Sequence, residues 1–334
     1  MDSCLVGSEM CIRDRFSLLD TMELERIFGW VPEEWTTARK RGQRDVRYWP
    51  STSYMAAVRW MERANAISPV SACTYKNIVE RADPQPFMLS RAEAGTAIEA
   101  LKSNPLRNLD GGFLHRASMD HPKFLTHLNS ETSPNASADA NIMVVDAFHQ
   151  FSTSRQVPGD TTSPIVGKPE PYFALLAADG DEVGKLMRSH ADKIPSALAK
   201  FAVAATARLE ADFASVPIYA GADDVLAFVP IEDALPAAIA LREEFKREFN
   251  AAGIANADIS AAVLYCHMRT PLRWALSHVK KTLLDAIAKE KNGRSSIAIG
   301  LQRQSGTPLT WATVWEDIQG NTMDKAVGHQ PTLR

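Results

Sequence analysis

Two apolar runs, Val216–Ala220 and Val225–Val229, are separated only by Gly221-Ala222-Asp223-Asp224. A connection this short joins antiparallel neighbours, so the pair predicts a β-hairpin with two carboxylates at its tip. Upstream, Tyr172–Ala178 carries no charged residue, as a strand covered on both faces would, and it runs into Asp179-Gly180-Asp181-Glu182-Val183-Gly184-Lys185. Glu182 to about Asp212 reads as helix, interrupted near Pro195. Asp233 is placed to cap a further helix, with Pro236 in its first turn and Ala238, Leu241, Phe245 and Phe249 as its buried stripe. Ile259–Cys266 then reads as strand, Pro271 to about Lys289 as helix, and Ser296–Leu301 as strand. The order β-α-β-β-α-β-α-β predicts an α+β fold, a ferredoxin-like core with a helix and a strand appended.

In that topology the first strand and the hairpin are central neighbours, so the two acidic segments meet at one edge of the sheet. Carboxylates gathered there repel one another unless cations lie between them, and hard oxygen ligands favour Mg²⁺ or Mn²⁺, which in turn hold phosphate oxygens. Asp179 and Asp181 project to one side only if the backbone stays extended through Gly180. Adjacent Asp223 and Asp224 point to opposite faces unless the turn rotates one of them. The order of preference as ligands is Asp179 and Asp224, then Asp223, then Asp181. An EF-hand loop starting at Asp179 is excluded, because its fifth and twelfth positions are Val183 and His190.

With 37 Lys+Arg against 40 Asp+Glu the formal net charge is −3, which argues against coating nucleic acid through bulk electrostatics. None of the four cysteines (Cys4, Cys11, Cys73, Cys266) forms a C-x-x-C pair, so neither a disulfide framework nor a paired-cysteine zinc site is expected. No apolar run approaches the ~20 residues of a spanning helix, and the setting is read as cytoplasmic, with no membrane partner. Residues 1–15 contain SCLVGSEMCIRDR, which resembles a translated sequencing-adapter remnant and is set aside as non-native. Residues 16–151 are expected to be mainly helical, with Ser51-Thr52-Ser53 opening a helix at Tyr54 and Ser130–Asn141 forming a surface loop. Trp30, Trp35, Trp49 and Trp60 are read as packing residues. Residues 152–171 form a linker, rich in proline, and residues 172–306 the strand-and-helix domain. Residues 307–334 are read as the start of a truncated C-terminal region. Asp120-His121 reverses the His-Asp order of a phosphohydrolase and has no companion histidine, so nuclease activity is not expected.

These segments resemble the large palm-domain subunit of type III CRISPR effector complexes, with the type III-B (Cmr-type) branch the closer fit. YAGADDVLAFVP is similar to that family's GGDD hairpin, and PYFALLAADGDEVGKLM to its strand and DGD-x-x-G motif. ISAAVLYCHMRTPLRWALSHVKKTLLDAIAKEKNGRSSIAI resembles its strand, H-x-x-x-PL and AK-x-x-x-GR segments, and RYWPSTSYMAA its PSTS stretch. The matches keep one order over roughly residues 47–306. The resemblance implies a second palm domain (GGDEF/nucleotide-cyclase-like) preceded by a helical inter-palm region, in a fragment of a longer chain.

It also implies synthesis of cyclic oligoadenylate from ATP when target RNA is bound, within a complex of other type III-B subunits and crRNA. Asp179, Asp223 and Asp224 would be the catalytic and Mg²⁺- or Mn²⁺-holding residues. ATP would be bound by Gly180, Asp181, Glu182, Val183, Gly184, Gly221, Ala222, Ser260 and Lys289, the last matching the AK lysine. No role is assigned to His267. One departure stands out: the second glycine of GGDD is Ala222, which is tolerated at negative φ but strained if the turn is left-handed. Two alternatives follow, a stand-alone GGDEF-like cyclase, distinguished by its products from ATP and GTP, and a catalytically silent scaffold subunit.

Overall fold

The computed structural model describes residues 50–82, 98–120, 134–303 and 306–318. A six-stranded sheet in the order β2-β3-β1-β4-β5-β6 organises it. Its strands are β1 (Tyr172–Gly180), β2 (Val216–Gly221), β3 (Asp224–Val229), β4 (Ile259–His267), β5 (Ser296–Gln302) and β6 (Leu309–Val314). β1 lies at the centre, antiparallel to both β3 and β4. The first four strands are the ferredoxin-like core; β5 joins β4 in parallel, and β6 closes the edge antiparallel to β5.

Both faces are covered, which is why β1 carries no charge before its last residues. Phe173, Leu175 and Ala177 pack on one face with helices α1 (Thr52–Ile67) and α2 (Pro69–Ala82), and with Phe148 and Phe151 of α3 (Pro134–Thr153). Ala174, Leu176 and Ala178 pack on the other with α5 (Ile194–Asp212) and α6 (Ala234–Ala251). The intervening α4 (Val183–Ser189) is separated from α5 by the break expected near Pro195. Among the described residues no helix is long and apolar enough to cross a membrane.

The Pro50-Ser51-Thr52-Ser53 stretch fastens the helical layer to the sheet. Ser51 caps α1 by accepting from the Tyr54 amide at 3.1 Å, and Thr52 Oγ1 donates to the Met268 carbonyl just beyond β4 at 2.8 Å. His115 Nε2–H donates to the Ser53 carbonyl at 2.9 Å, and burial holds that ring neutral, its pKa lowered to about 4. Trp60 is packed as expected, between Phe148 and Phe151, with its ring N–H donating to the Gly167 carbonyl. Trp30, Trp35 and Trp49 lie outside the described residues, as do residues 1–15 and His121.

Several expectations are corrected. Residues 134–141, read as part of a loop, begin α3; Pro134 fits a first helical turn, where no amide donor is required. The hairpin turn is two residues, not four, because Gly221 and Asp224 already pair across it. Asp233 precedes α6 but does not cap it through its side chain, since Arg59 Nε donates to its carboxylate at 2.7 Å. β6 lies in residues read as the start of another region; Trp315, fully buried beside it, donates its ring N–H to the Ile259 carbonyl at 2.7 Å. Finally, the helix after β4 is α-helical only over α7 (Leu272–Ser277) and continues as a π-helix over His278–Lys291.

The cap of α1 leaves no room opposite Gly111. A Cβ there would fall on Ser51 Oγ and Ser53 Oγ and 2.5 Å from the Tyr54 amide nitrogen. Gly111→Ala is therefore expected to lower stability by ~2 kcal/mol through overpacking and loss of the cap. Denaturant unfolding of the purified chain measures this.

Candidate functional site

β1 and β3 end in register, so Asp179 stands directly across from Asp224. Residues directly opposed in an antiparallel pair share a face, and this is the face that the π-helix covers. The backbone stays extended through Gly180, whose N–H donates to the Asp223 carbonyl at 3.1 Å and ties the hairpin tip to β1. A Cβ at Gly180 would lie 2.8 Å from that of Asp223, so only glycine permits this approach. One carboxylate oxygen from each of Asp179, Asp223 and Asp224 then falls within 4.8 Å of the others. Burial, then the nearby charges of Asp179 and Asp224, raise the pKa of Asp223 above the usual carboxylate range.

Two lysines from the π-helix enter this cluster. Lys280 Nζ donates to Asp224 Oδ1 at 2.6 Å and lies 3.8 Å from Asp179 Oδ2; Lys289 Nζ pairs with that same oxygen of Asp179. Burial pulls the Lys280 pKa down, but Asp224 and Asp179 outweigh it and the net direction is upward. Asp285, between the two lysines on the same segment, has its pKa raised by burial and interacts with both.

The helix type decides which side chains arrive. Lys280 and Lys289 are nine positions apart, two and a half turns of an α-helix at about 3.6 residues per turn and so on opposite sides. In a π-helix, with i→i+5 hydrogen bonds and roughly 4.4 residues per turn, nine positions make about two turns and one side. The buried Val279, Leu283, Leu284 and Ala288 follow the same period. Periodicity of 3.6 therefore hides Lys280, and nothing else in the sequence marks it.

Asp181 and Ser260, expected among the nucleotide-binding residues, are instead turned inward. Ser260 is fully buried and its hydroxyl donates to Asp181 at 2.9 Å, while the Ser295 amide donates to Asp181 Oδ2 at 2.8 Å. Burial raises the Asp181 pKa, and these hydrogen bonds work against that rise. Ser295 Oγ also donates to Asp258, which forms a bidentate pair with Arg242; that guanidinium sits over the Trp315 ring. This network, which sequence reasoning did not reveal, fixes the loop after β1. The Gly180 and Asp181 N–H groups are also occupied, by the Asp223 and Asp258 carbonyls. Those of Glu182, Val183 and Gly184 precede the first helical bonds, which run from the Lys185 and Leu186 amides to the Glu182 carbonyl. Glu182 itself is paired with Lys185.

Strain gathers at the same edge. Among described non-glycine residues with positive φ are Glu182 (55°), Ala222 (51°), Arg294 (73°) and Ser295 (44°), all on loops bordering the cluster. Ala222 is thus the left-handed case, in which a methyl group is costly. Gly221 beside it closes the hairpin by pairing with Asp224. His267, left without a role, lies at the far end of β4, where its Nδ1 accepts from the Arg269 amide and Tyr172 packs edge-on to its ring.

Three carboxylates offer oxygen ligands alone, the donor type that hard cations prefer, and two lysine ammonium groups offset their charge here. Residues 172–298 match the family model described as Cas10/Cmr2, second palm domain. The CRISPR system Cmr subunit Cmr2 of Pyrococcus furiosus is 31% identical over an alignment of 185 positions, covering 46% of this chain and 21% of that protein. The chain therefore spans about a fifth of that relative's length. Chains from two type III-B Cmr-β structures, one in the apo state and one bound to cognate target RNA, overlap it with TM-scores of 0.35 and 0.38. They are 12% and 11% identical, covering 74% and 78% of this chain and 35% and 36% of theirs.

Replacing Ala222 by glycine removes the left-handed strain without touching either carboxylate. Ala222→Gly is expected to raise stability by ~1 kcal/mol, read from the unfolding midpoint, although glycine substitutions in unstrained positions lower it.

Proposed function

We propose that the Cas10/Cmr2-type second palm domain formed by residues 172–298 is the ATP-using palm of a type III-B CRISPR effector subunit. It would act in the cytoplasm, assembled with other effector subunits, crRNA and target RNA, and make cyclic oligoadenylate when target RNA is bound. The observation that carries this reading is the register of Asp179 opposite Asp224, with Asp223 brought beside them by the two-residue turn.

In the proposed reaction the 3′-hydroxyl of one ATP attacks the α-phosphate of another and pyrophosphate leaves. Mg²⁺ or Mn²⁺ held by Asp179, Asp223 and Asp224 would favour the alkoxide form of the hydroxyl and neutralise charge on the triphosphate. Of the chain's own groups, the N–H donors of Glu182, Val183 and Gly184 precede the first hydrogen bonds of α4 and would suit phosphate oxygens. Lys289, on Asp179 here, is within reach of a triphosphate bound at the same carboxylates. Gly221 and Ala222 would border the nucleotide at the hairpin. Asp181 and Ser260 would hold the loop and make no contact with ATP.

A scaffold role without catalysis is favoured by one observation, the strained methyl group of Ala222. The two readings part on product: the assembled complex with target RNA should make adenylate oligomers from ATP, and no product would point to the scaffold. The metal site is tested separately. Mg²⁺ or Mn²⁺ with ATP should raise the melting temperature by ~5 °C over ATP with chelator, as expected for a ligand near a hundred times its dissociation constant. The Asp223→Ala/Asp224→Ala double variant should show no such difference. A difference of the same size in the double variant would reject the metal assignment.

A further inference from the structure

Lys280 has no part in the function argued above, yet of the two lysines in the cluster it is the one that contacts both Asp224 and Asp179. Its ammonium lies 2.6 Å from Asp224 and 3.8 Å from Asp179, the two residues that face each other across the β1–β3 pair. The side chain is 16% exposed, so the charge is held in the cluster and not waving past it. Its segment is π-helical, and π-helices concentrate at functional positions; the geometry that places Lys280 on this side also places Lys289 there.

We propose that Lys280 is an internal counter-ion of the acidic cluster that is displaced by the divalent ion and transferred to the polyphosphate arriving with it. This rests on the metal-and-ATP reading of the site. An ammonium and a divalent cation repel each other, and both draw on the same oxygens of Asp179 and Asp224, so the two compete. The lysine's long, flexible stem lets the charge move while its apolar part stays packed. Once released, the ammonium needs an anion, and bound triphosphate supplies one beside it. A divalent ion alone therefore binds against Lys280, whereas ion and nucleotide together bind with its help. Lys280 is on this account a positioning residue that couples the two ligands.

The test is Mn²⁺ binding to the full chain, measured by electron paramagnetic resonance with and without a non-hydrolysable ATP analogue. Without nucleotide, Lys280→Met should bind Mn²⁺ about tenfold more tightly than the unsubstituted chain, the size of a coupling of this kind. The gain in Mn²⁺ affinity brought by the analogue should shrink by a similar factor. Lys280→Arg, which keeps the charge, should behave as the parent, and Lys280→Gln serves if the methionine variant does not fold. Unchanged or weaker Mn²⁺ binding in the neutral variants overturns the proposal alone, provided Asp223→Asn/Asp224→Asn abolishes binding. Absence of Mn²⁺ binding in the parent chain, or binding indifferent to those two aspartates, overturns the metal reading and the proposal with it.

Discussion

At the end of the central strand pair Asp179 faces Asp224 with no residue between them, and Asp223 follows at the turn. Like charges directly opposed on a sheet destabilise it, so this arrangement persists only where surrounding structure compels it. The compulsion is visible in the packing. β1 is buried on both faces along most of its length, and its register with β3 is fixed by alternating apolar residues at five successive pairs before the carboxylates. A slip of one residue would turn those side chains to the wrong layer. The acidic pair is thus imposed by the core, and two lysines are drawn in to offset it.

The surrounding loops hold that edge under strain. The Arg242–Asp258 pair, capped by Trp315, carries Ser295 and through it Asp181 and Ser260. Polar groups buried in this way are costly unless satisfied, and here Arg242, Ser295 and Ser260 donate to the carboxylates of Asp258 and Asp181. The network keeps the loop after β1 in place while Glu182, Arg294 and Ser295 adopt left-handed backbone conformations. β6 matters for the same reason, since it delivers Trp315 to Arg242 and to the Ile259 carbonyl.

Much of this was legible in the sequence because it rests on short-range pattern. The uncharged run before Asp179 and the two apolar runs around Asp223-Asp224 name the strands, and strand order follows from topology, so three carboxylates converge. What was hidden depends on geometry that residue type does not encode. Nine positions separate Lys280 from Lys289, and only the π-helical turn brings them together. Asp181 and Ser260 look like ligand contacts in the sequence but face each other in the fold. Ala222 shows its strain only when the sign of φ is known. Pro134 and β6 were missed for plainer reasons: a small, polar helix start resembles a loop, and an exposed edge strand lacks the apolar run of a buried one.

The central claim is that these three aspartates form a divalent-ion site serving a nucleotide. The most direct measurement is a crystal structure of the full chain with Mn²⁺ and a non-hydrolysable ATP analogue, read by anomalous scattering from manganese. The account predicts a manganese peak bound by Asp179 and Asp224 at the β1–β3 end, with triphosphate density beside it. Nucleotide bound elsewhere on the chain, or an acidic cluster still filled by Lys280 and Lys289 with no manganese at saturating concentration, would contradict it.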